Sequence, residues 1–478
     1  VACSIFRALE SAADAAFAWI GGVGTYQTGT IVSDRRARHF AFARLLSSAV
    51  VSQALLSAAS FAIGLILIRS TTDVQYGYYI LASSAILLLV SLQNAFFNPP
   101  LAIRLTRLDR LGRGELVGGL YREQRRILPA VGGISVVVAL GLWYVEVLDA
   151  HTGPLVLATI AAALAILHRE YFRMVLFAHR RPHDVLRTDL FYVVLMVAGV
   201  FVATLTPAPA VTAVFTLGLA AVASGVLLSQ MLHRHEPWNI QGTQGILREI
   251  APLAVWSTAG AAIHWTFSQG YIYLVAGTLD VAAVAAIAAT RLLMMPVNLL
   301  STGIGSLMLP LASGRLHQHG ASVLLRRLAI FAFGLAAATL CYFVILWLLR
   351  DWIFVVVLKK QFAQRDELLM LWSAIFLVIV IRDQLVYLLA AQGRFRALTL
   401  LTLASAVISL AASYWGMLRF GVAGALAGML IGELINIFGI VILSFRHVPP
   451  LSTVSTLPQT RTQHTSSFIA RRSGKSMP

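Results

Sequence analysis

The stretch GVAGALAGMLIGELINIFGIVILSF, residues 421–445, holds a single ionisable group, Glu433, in 25 residues. At about 1.5 Å per residue, a helix of that length crosses a hydrocarbon core of about 30 Å. Similar apolar runs precede it near 46–68, 78–103, 128–148, 154–178, 190–207, 210–232, 253–276, 281–312, 327–349, 368–391 and 397–418. None shows sustained period-two alternation, so helices are favoured over barrel strands. Composition agrees. Of 478 residues, 58% are hydrophobic and only 12% charged, with a mean hydropathy of +0.80. A soluble chain carries roughly 25% charged residues and could not bury so much apolar surface. The sequence therefore reads as an all-α integral membrane protein with about 12 transmembrane helices.

Charge fixes the expected topology. The net charge is +17, but the basic residues are scattered between apolar runs and form no arm or face for nucleic acid. With the amino terminus placed inside, the inside segments hold 27 Lys and Arg and the outside loops hold 6. That asymmetry predicts cytoplasmic termini. Residues 1–43 read as an N-terminal cytoplasmic extension, with Ala15–Val32 interrupted by Tyr26, Gln27, Thr28 and Thr30. The remaining boundaries follow: a six-helix lobe over 44–232, a cytoplasmic loop over 233–252, a second six-helix lobe over 253–445 and a disordered tail over 446–478. Cys3 and Cys341 build no disulfide framework. His233-Arg234-His235 and His317-Gln318-His319 lack metal-site spacing, and no Walker A sequence occurs, so no metal, no other cofactor and no ATP hydrolysis are expected.

The two halves carry matching punctuation. Asp73-Val74 and Asp280-Val281 open corresponding runs at an offset of 207 residues. Pro100-Leu101-Ala102 and Pro310-Leu311-Ala312 close them at an offset of 210. Six plus six related helices around a central cavity is the architecture such repeats suggest.

Polar stripes mark candidate cavity faces. Gln53, Ser57, Ser60 and Gly64 share one helix face, as do Ser84, Ser91, Asn94 and Asn98. His264, Ser268 and Tyr271 align in the seventh run, and Arg291, Asn298 and Thr302 in the eighth. Each stripe alone reads equally as helix packing through small and polar residues. Ionisable groups within the spans say more, because each costs at least about 2.5 kcal/mol at the bilayer centre. Arg169 and Arg173 read as snorkelling side chains, with Glu170 in pairing range, or as a phosphate entry patch extended by Arg180 and Arg181. Arg382 and Asp383 either neutralise each other or pair with other helices. Glu433, on a small-residue face with Gly424, Gly428 and Gly432, reads as an ion-pair partner or, with Asp383, as an ion-coupling site. Arg291 lies 11 residues after Asp280, about 16 Å along a helix and near mid-membrane. It faces either the cleft or an acid such as Glu433.

The segment Arg44-Leu45-Leu46 through Arg69-Ser70-Thr71-Thr72-Asp73-Val74-Gln75-Tyr76-Gly77-Tyr78-Tyr79 resembles the opening of bacterial Wzx-like polysaccharide flippases. Ala288-Ala289-Thr290-Arg291-Leu292, Met295-Pro296 and Leu309-Pro310 look like that family's eighth helix. The resemblance implies membership of the multidrug/oligosaccharidyl-lipid/polysaccharide exporter superfamily, alternating access, and a place in the bacterial inner membrane. It implies an undecaprenyl-diphosphate-linked oligosaccharide as cargo, the lipid bilayer as medium, and polymerase and export machinery as partners. Arg291 would then meet the diphosphate, with Arg169 and Arg173 near its entry. Asn298, Thr302, Gln53, Ser57, Asn94 and His264 would meet the sugars. A drug/cation antiporter of the same superfamily is the alternative, although the first two spans contain no Asp or Glu. From another class, a membrane polysaccharide polymerase or glycosyltransferase would need paired carboxylates near the membrane face. The longest outside loop offers only Asp351, Asp366 and Glu367.

Overall fold

The computed structural model describes residues 32–105, 108–235, 238 and 245–445. The expectations for the extreme amino terminus and the tail after 445 lie outside the described residues, as do the side chains of 302–324. Every described element is helical: α1 Val32–Ser70, α2 Asp73–Arg104, α3 Arg110–Tyr144, α4 Thr152–Ala178, α5 Pro182–Ala203 and α6 Pro209–His235. Then come α7 Ile246–Thr278, α8 Val281–Leu292, α9 Met295–Leu348, a short turn Arg350–Trp352 running into a π-helical turn Ile353–Leu358, α10 Arg365–Ala391 and α11 Phe395–Phe445. The protein is an all-α, multi-pass membrane protein.

Local chemistry sets the boundaries. Thr72 accepts a hydrogen bond from the Gln75 amide at 3.3 Å, and Asp109 from Gly112 at 3.0 Å, so side chains satisfy amides left open at the starts of α2 and α3. Asp280 caps α8 in the same way, accepting from Ala283 at 2.6 Å. The two Asp-Val pairs that mark the repeat therefore mark two helix starts. Pro182 opens α5, where its missing N–H costs nothing.

Among the described residues nine helices are long and apolar enough to cross a membrane. Counted as one broken span, α8 and the start of α9, bent by 56° at the break, make a tenth. α7 runs 33 residues and is not among those nine. α11 contains two of the expected spans: its 51 residues are broken at Gly421, which has φ +58°. The structure extends several elements beyond their apolar runs. α5 begins eight residues before the run at 190, and α3 eighteen before the run at 128, because hydrogen bonding carries the helix on past the point where hydropathy falls. The backbone is also helical through 317–319, where the sequence suggested a loop.

The described chain separates into two compact units. The first holds residues up to Trp265 together with Asp280–Met295 and Phe354–Gln361. Its core gathers Leu101, Leu120, Tyr171, Val175, Val185 and Leu228, all at most 1% exposed. The second unit holds Thr266–Leu279, Pro296–Ile353 and the chain from Phe362 onward. There the two arms of α11 fold back on each other along a ladder of small residues. Gly424 meets Gly416, Gly428 meets Ser413 and Gly432 meets Ser409, leaving no room for a methyl group. Ser413 donates to the Ala425 carbonyl at 2.8 Å, and Asn436 to Ser405 at 3.3 Å. This is the close packing that small residues permit in lipid.

Candidate functional site

Among the described residues each unit buries an arginine-centred ion cluster. In the first, Arg169 on α4 is 2% exposed. Its Nη1 donates to Glu170 at 2.5 Å, its Nη2 donates to Asp189 on α5, and its guanidinium lies 3.9 Å over the Tyr192 ring. Arg173 donates from Nε to the other oxygen of Asp189 at 3.2 Å, and lies 3.4 Å from Glu170. Ser52 on α1 donates its hydroxyl to Asp189. Two guanidinium groups thus meet two carboxylates, and the cluster is neutral while it ties α1, α4 and α5 together.

In the second unit Arg382 on α10 donates from Nη1 to Glu433 on α11 at 2.5 Å. Its Nη2 and Nε donate to Asp383 at 2.8 and 3.2 Å. Ser301 on α9 donates to the far oxygen of Asp383 at 3.4 Å. Here one guanidinium meets two carboxylates. The Glu433 side chain is 1% exposed and that of Asp383 31%, so Asp383 is the wetter end of the cluster. The next residue, Gln384, is fully buried, and its side-chain amide has no hydrogen-bond partner among the described residues.

The two clusters stand at nearly the same sequence offset as the matching helix ends. Arg169-Glu170 and Arg382-Asp383 are 213 residues apart, close to the offsets of 207 and 210 that relate the helix ends. Each arginine takes the following carboxylate and one from another helix or helix arm, and each cluster includes a serine. Arg173 has Val386 as its counterpart at the same spacing, which removes one positive charge from the second cluster.

The structure thus brings Arg169 and Arg173 together, and joins Asp383 and Glu433 through Arg382. Two buried carboxylates hold Arg169 and leave it almost no exposed surface, so it is neither a snorkelling end nor an open phosphate patch. Arg291 lies in the last turn of α8, half-buried, beside the Leu293–Met294 break. Basic charge at a helix C-terminus is favoured by the helix dipole. Asn298 is exposed on α9, His264 and Gln53 are exposed on α7 and α1, and Ser57 is half-buried. Asn94 is half-buried with a buried Oδ1 that lacks a hydrogen-bond partner among the described residues. Thr302 falls where side chains are not described. Sequence reasoning missed Asp189 and Ser52. Asp189 precedes the apolar run at 190 and reads as a loop residue, while Ser52 sits beside the more conspicuous Gln53. The 213-residue Arg-acid repeat was the signal available for pairing the clusters.

No protein-family model matches the chain, and no curated protein matches it in sequence. Solved structures do match in fold. An inward-facing multidrug resistance MATE family transporter of the MOP superfamily superposes with TM-score 0.66 at 13% identity, covering 81% of this chain and 93% of its own. The lipid II flippase MurJ, in an inward closed conformation, gives TM-score 0.66 at 10% identity over 82% of this chain and 86% of its own. A eukaryotic MATE transporter gives TM-score 0.58 at 10% identity, covering 85% and 96%. The chain has the MATE and MurJ fold. At such identities the likeness concerns architecture, and chemistry has to be argued from the residues.

Proposed function

We propose that the protein is a flippase that carries an undecaprenyl-diphosphate-linked oligosaccharide across the bacterial inner membrane by alternating access, for exopolysaccharide or O-antigen synthesis. The observation that carries this reading is Arg291 beside the break of a bent span, with α8 and α9 meeting at 56°. Transporters of several folds bind cargo where spans are discontinuous near the bilayer midplane. Twelve residues of α8 rise about 18 Å, which brings Arg291 close to that depth. A planar, permanently charged guanidinium suits a diphosphate, because its fork matches paired phosphate oxygens. Pro296 stands in the first turn of the helix beyond the break, where its missing N–H costs nothing.

In this reading Asn298, Thr302, Gln53, Ser57, Asn94 and His264 supply hydrogen bonds to sugars. Arg169 and Arg173 act through Asp189 and Glu170, holding α1, α4 and α5 in place. Asp383 and Glu433 form the ion-coupling site, since the cluster around Arg382 carries one carboxylate more than it has guanidinium groups. A polysaccharide polymerase and export machinery would receive the cargo. A drug/cation antiporter fits less well, because the spans Val50–Ser70 and Asp73–Pro99 carry no acid beyond the capping-end Asp73. One of the MATE neighbours is a multidrug resistance transporter, which keeps that alternative as an arm of the test.

The test is reconstitution of the full chain in liposomes with a fluorescent lipid-diphosphate oligosaccharide, scored by leaflet accessibility to a membrane-impermeant quencher. Flipping without covalent change to the lipid supports the proposal. Arg291→Ala abolishes flipping at unchanged protein level, and Arg291→Lys retains part of it. Full activity of Arg291→Ala, or transport of organic cations in place of the lipid, overturns it.

A further inference from the structure

One end of the first unit gathers four connections: the α1–α2 turn, the start of α6, the start of α8, and the segment after the π-helical turn. Four residues of the stretch Asp73–Gly77 bind four different places there. Asp73 accepts from Lys360 Nζ at 2.7 Å, and the same ammonium donates to the Thr71 carbonyl at 3.0 Å. Gln75 accepts from the Ala210 amide at 3.1 Å, at the start of α6. Tyr76 is 2% exposed, with its hydroxyl near Gly64 of α1. Gly77 lies against the backbone carbonyl and side chain of Val281, where a methyl group would overlap both.

Two of these partners come from the far half of the sequence. α8 follows α7, and Lys360 lies 287 residues from Asp73, yet both pack with the first unit. The segment that delivers Lys360 is built for aim. Phe354 and Leu358 of the π turn are fully buried, Lys359 takes the left-handed conformation at φ +53°, and the Lys360 amide closes the turn on the Phe354 carbonyl at 3.1 Å. A π turn and a left-handed non-glycine residue are both uncommon, and both concentrate where a chain is held for function. The ion pair itself is only part-buried, with side chains 21% and 37% exposed, so water can replace it without a large desolvation cost.

We propose that the Asp73–Lys360 ion pair, seated on the Gly77–Val281 helix contact, is a latch that holds the connections at this end of the first unit together and parts during each transport cycle. By the Lys and Arg count this is the outer end. Gly77 lets α2 and α8 meet backbone to backbone, which places the pair in range. The pair adds a polar contact that can break and re-form. The inference rests on the transporter reading but on no particular cargo.

Spin labels on Ser70→Cys and Gln361→Cys, in the full chain with Cys3 and Cys341 replaced by Ser, report the distance across the latch by double electron–electron resonance in nanodiscs. The parent gives a dominant short-distance population. Asp73→Asn and Lys360→Met each move the short-to-long ratio by a factor of roughly 1.5 to 5, the range for a part-exposed pair. Gly77→Val keeps both charges and also populates the longer distance. The exchange Asp73→Lys with Lys360→Asp restores the short one, which a merely misfolded single variant would not predict. Unchanged distances in the single variants, or an exchange that fails to restore the short population, overturn the latch. No cargo is needed, so that failure would leave the lipid-flipping reading standing, and a failed flipping assay would leave the latch.

Discussion

Arg382 on α10 donates to Glu433 on α11 at 2.5 Å, repeating in the second unit what Arg169 on α4 does with Asp189 on α5 in the first. The likeness is chemical: an arginine, the acid that follows it, an acid from elsewhere in the unit and a serine. What differs is the count of charges. The first cluster closes with Arg173, whereas the second has Val386 in that place.

Removing the arginine from the second cluster should be costly. Breaking a buried pair by deleting one partner typically destabilises by about 3–5 kcal/mol, because the other charge stays buried without compensation. Arg382→Met is expected to lower the thermal transition of the detergent-solubilised protein sharply. Adding Glu433→Gln should recover most of the loss. A double variant as unstable as the single would show that the guanidinium works through packing.

The charge difference carries a functional prediction. If the second cluster couples transport to a proton or sodium ion, Glu433→Gln should flatten the dependence of flipping on pH and on sodium gradients. Val386→Arg, which supplies the missing charge one helical turn after Arg382, should do the same while keeping both acids. Flipping that follows the gradients normally in both variants would make the cluster structural, like its first-unit counterpart.

The spans were legible because apolar length and the hydrocarbon thickness are the same constraint. The runs 154–178 and 210–232 read nearly as they fold, as Thr152–Ala178 and Pro209–His235. The ends were harder to read, since backbone hydrogen bonding propagates a helix through polar residues. Asp189 was lost for that reason: it belongs to α5 yet stands outside the apolar run. Partnership was hidden for a different reason. Glu433 could be matched to any mid-span cation, and only packing selects Arg382 over Arg291. Gly421 was the reverse case. The gap between the runs 397–418 and 421–445 marked the break, and the structure adds how it is satisfied: the Gln364 side chain accepts from the Ala423 amide at 3.3 Å and donates to the Phe420 carbonyl at 3.5 Å.

Topology can be tested with single cysteines in a Cys3/Cys341-free chain. Arg110→Cys and Arg396→Cys should be protected from an impermeant maleimide in intact cells. His151→Cys, Pro207→Cys and Gln361→Cys should label. All five sites are exposed in the structure, so burial does not confuse the reading. Labelling of either inside position from the exterior would overturn the charge-based orientation and, with it, the outer placement of the latch.

The glycine ladder of α11 makes the last prediction, and its sign depends on position alone. A Cβ on Gly428 would run into the Ser413 backbone, which cannot rotate away as a side chain could. Overpacking of this kind costs typically about 1–3 kcal/mol, so Gly428→Ala should lower the thermal transition. It should also strain the Ser413 to Ala425 hydrogen bond beside it. Gly334, within α9, has nothing within 4 Å of the same methyl position. There the only effect is on the freedom of the unfolded chain and on helix preference, worth about 0.5–1 kcal/mol in favour of alanine. Gly334→Ala should therefore raise the transition slightly while Gly428→Ala lowers it. Equal shifts in the two variants would mean that the arms of α11 do not meet along these glycines.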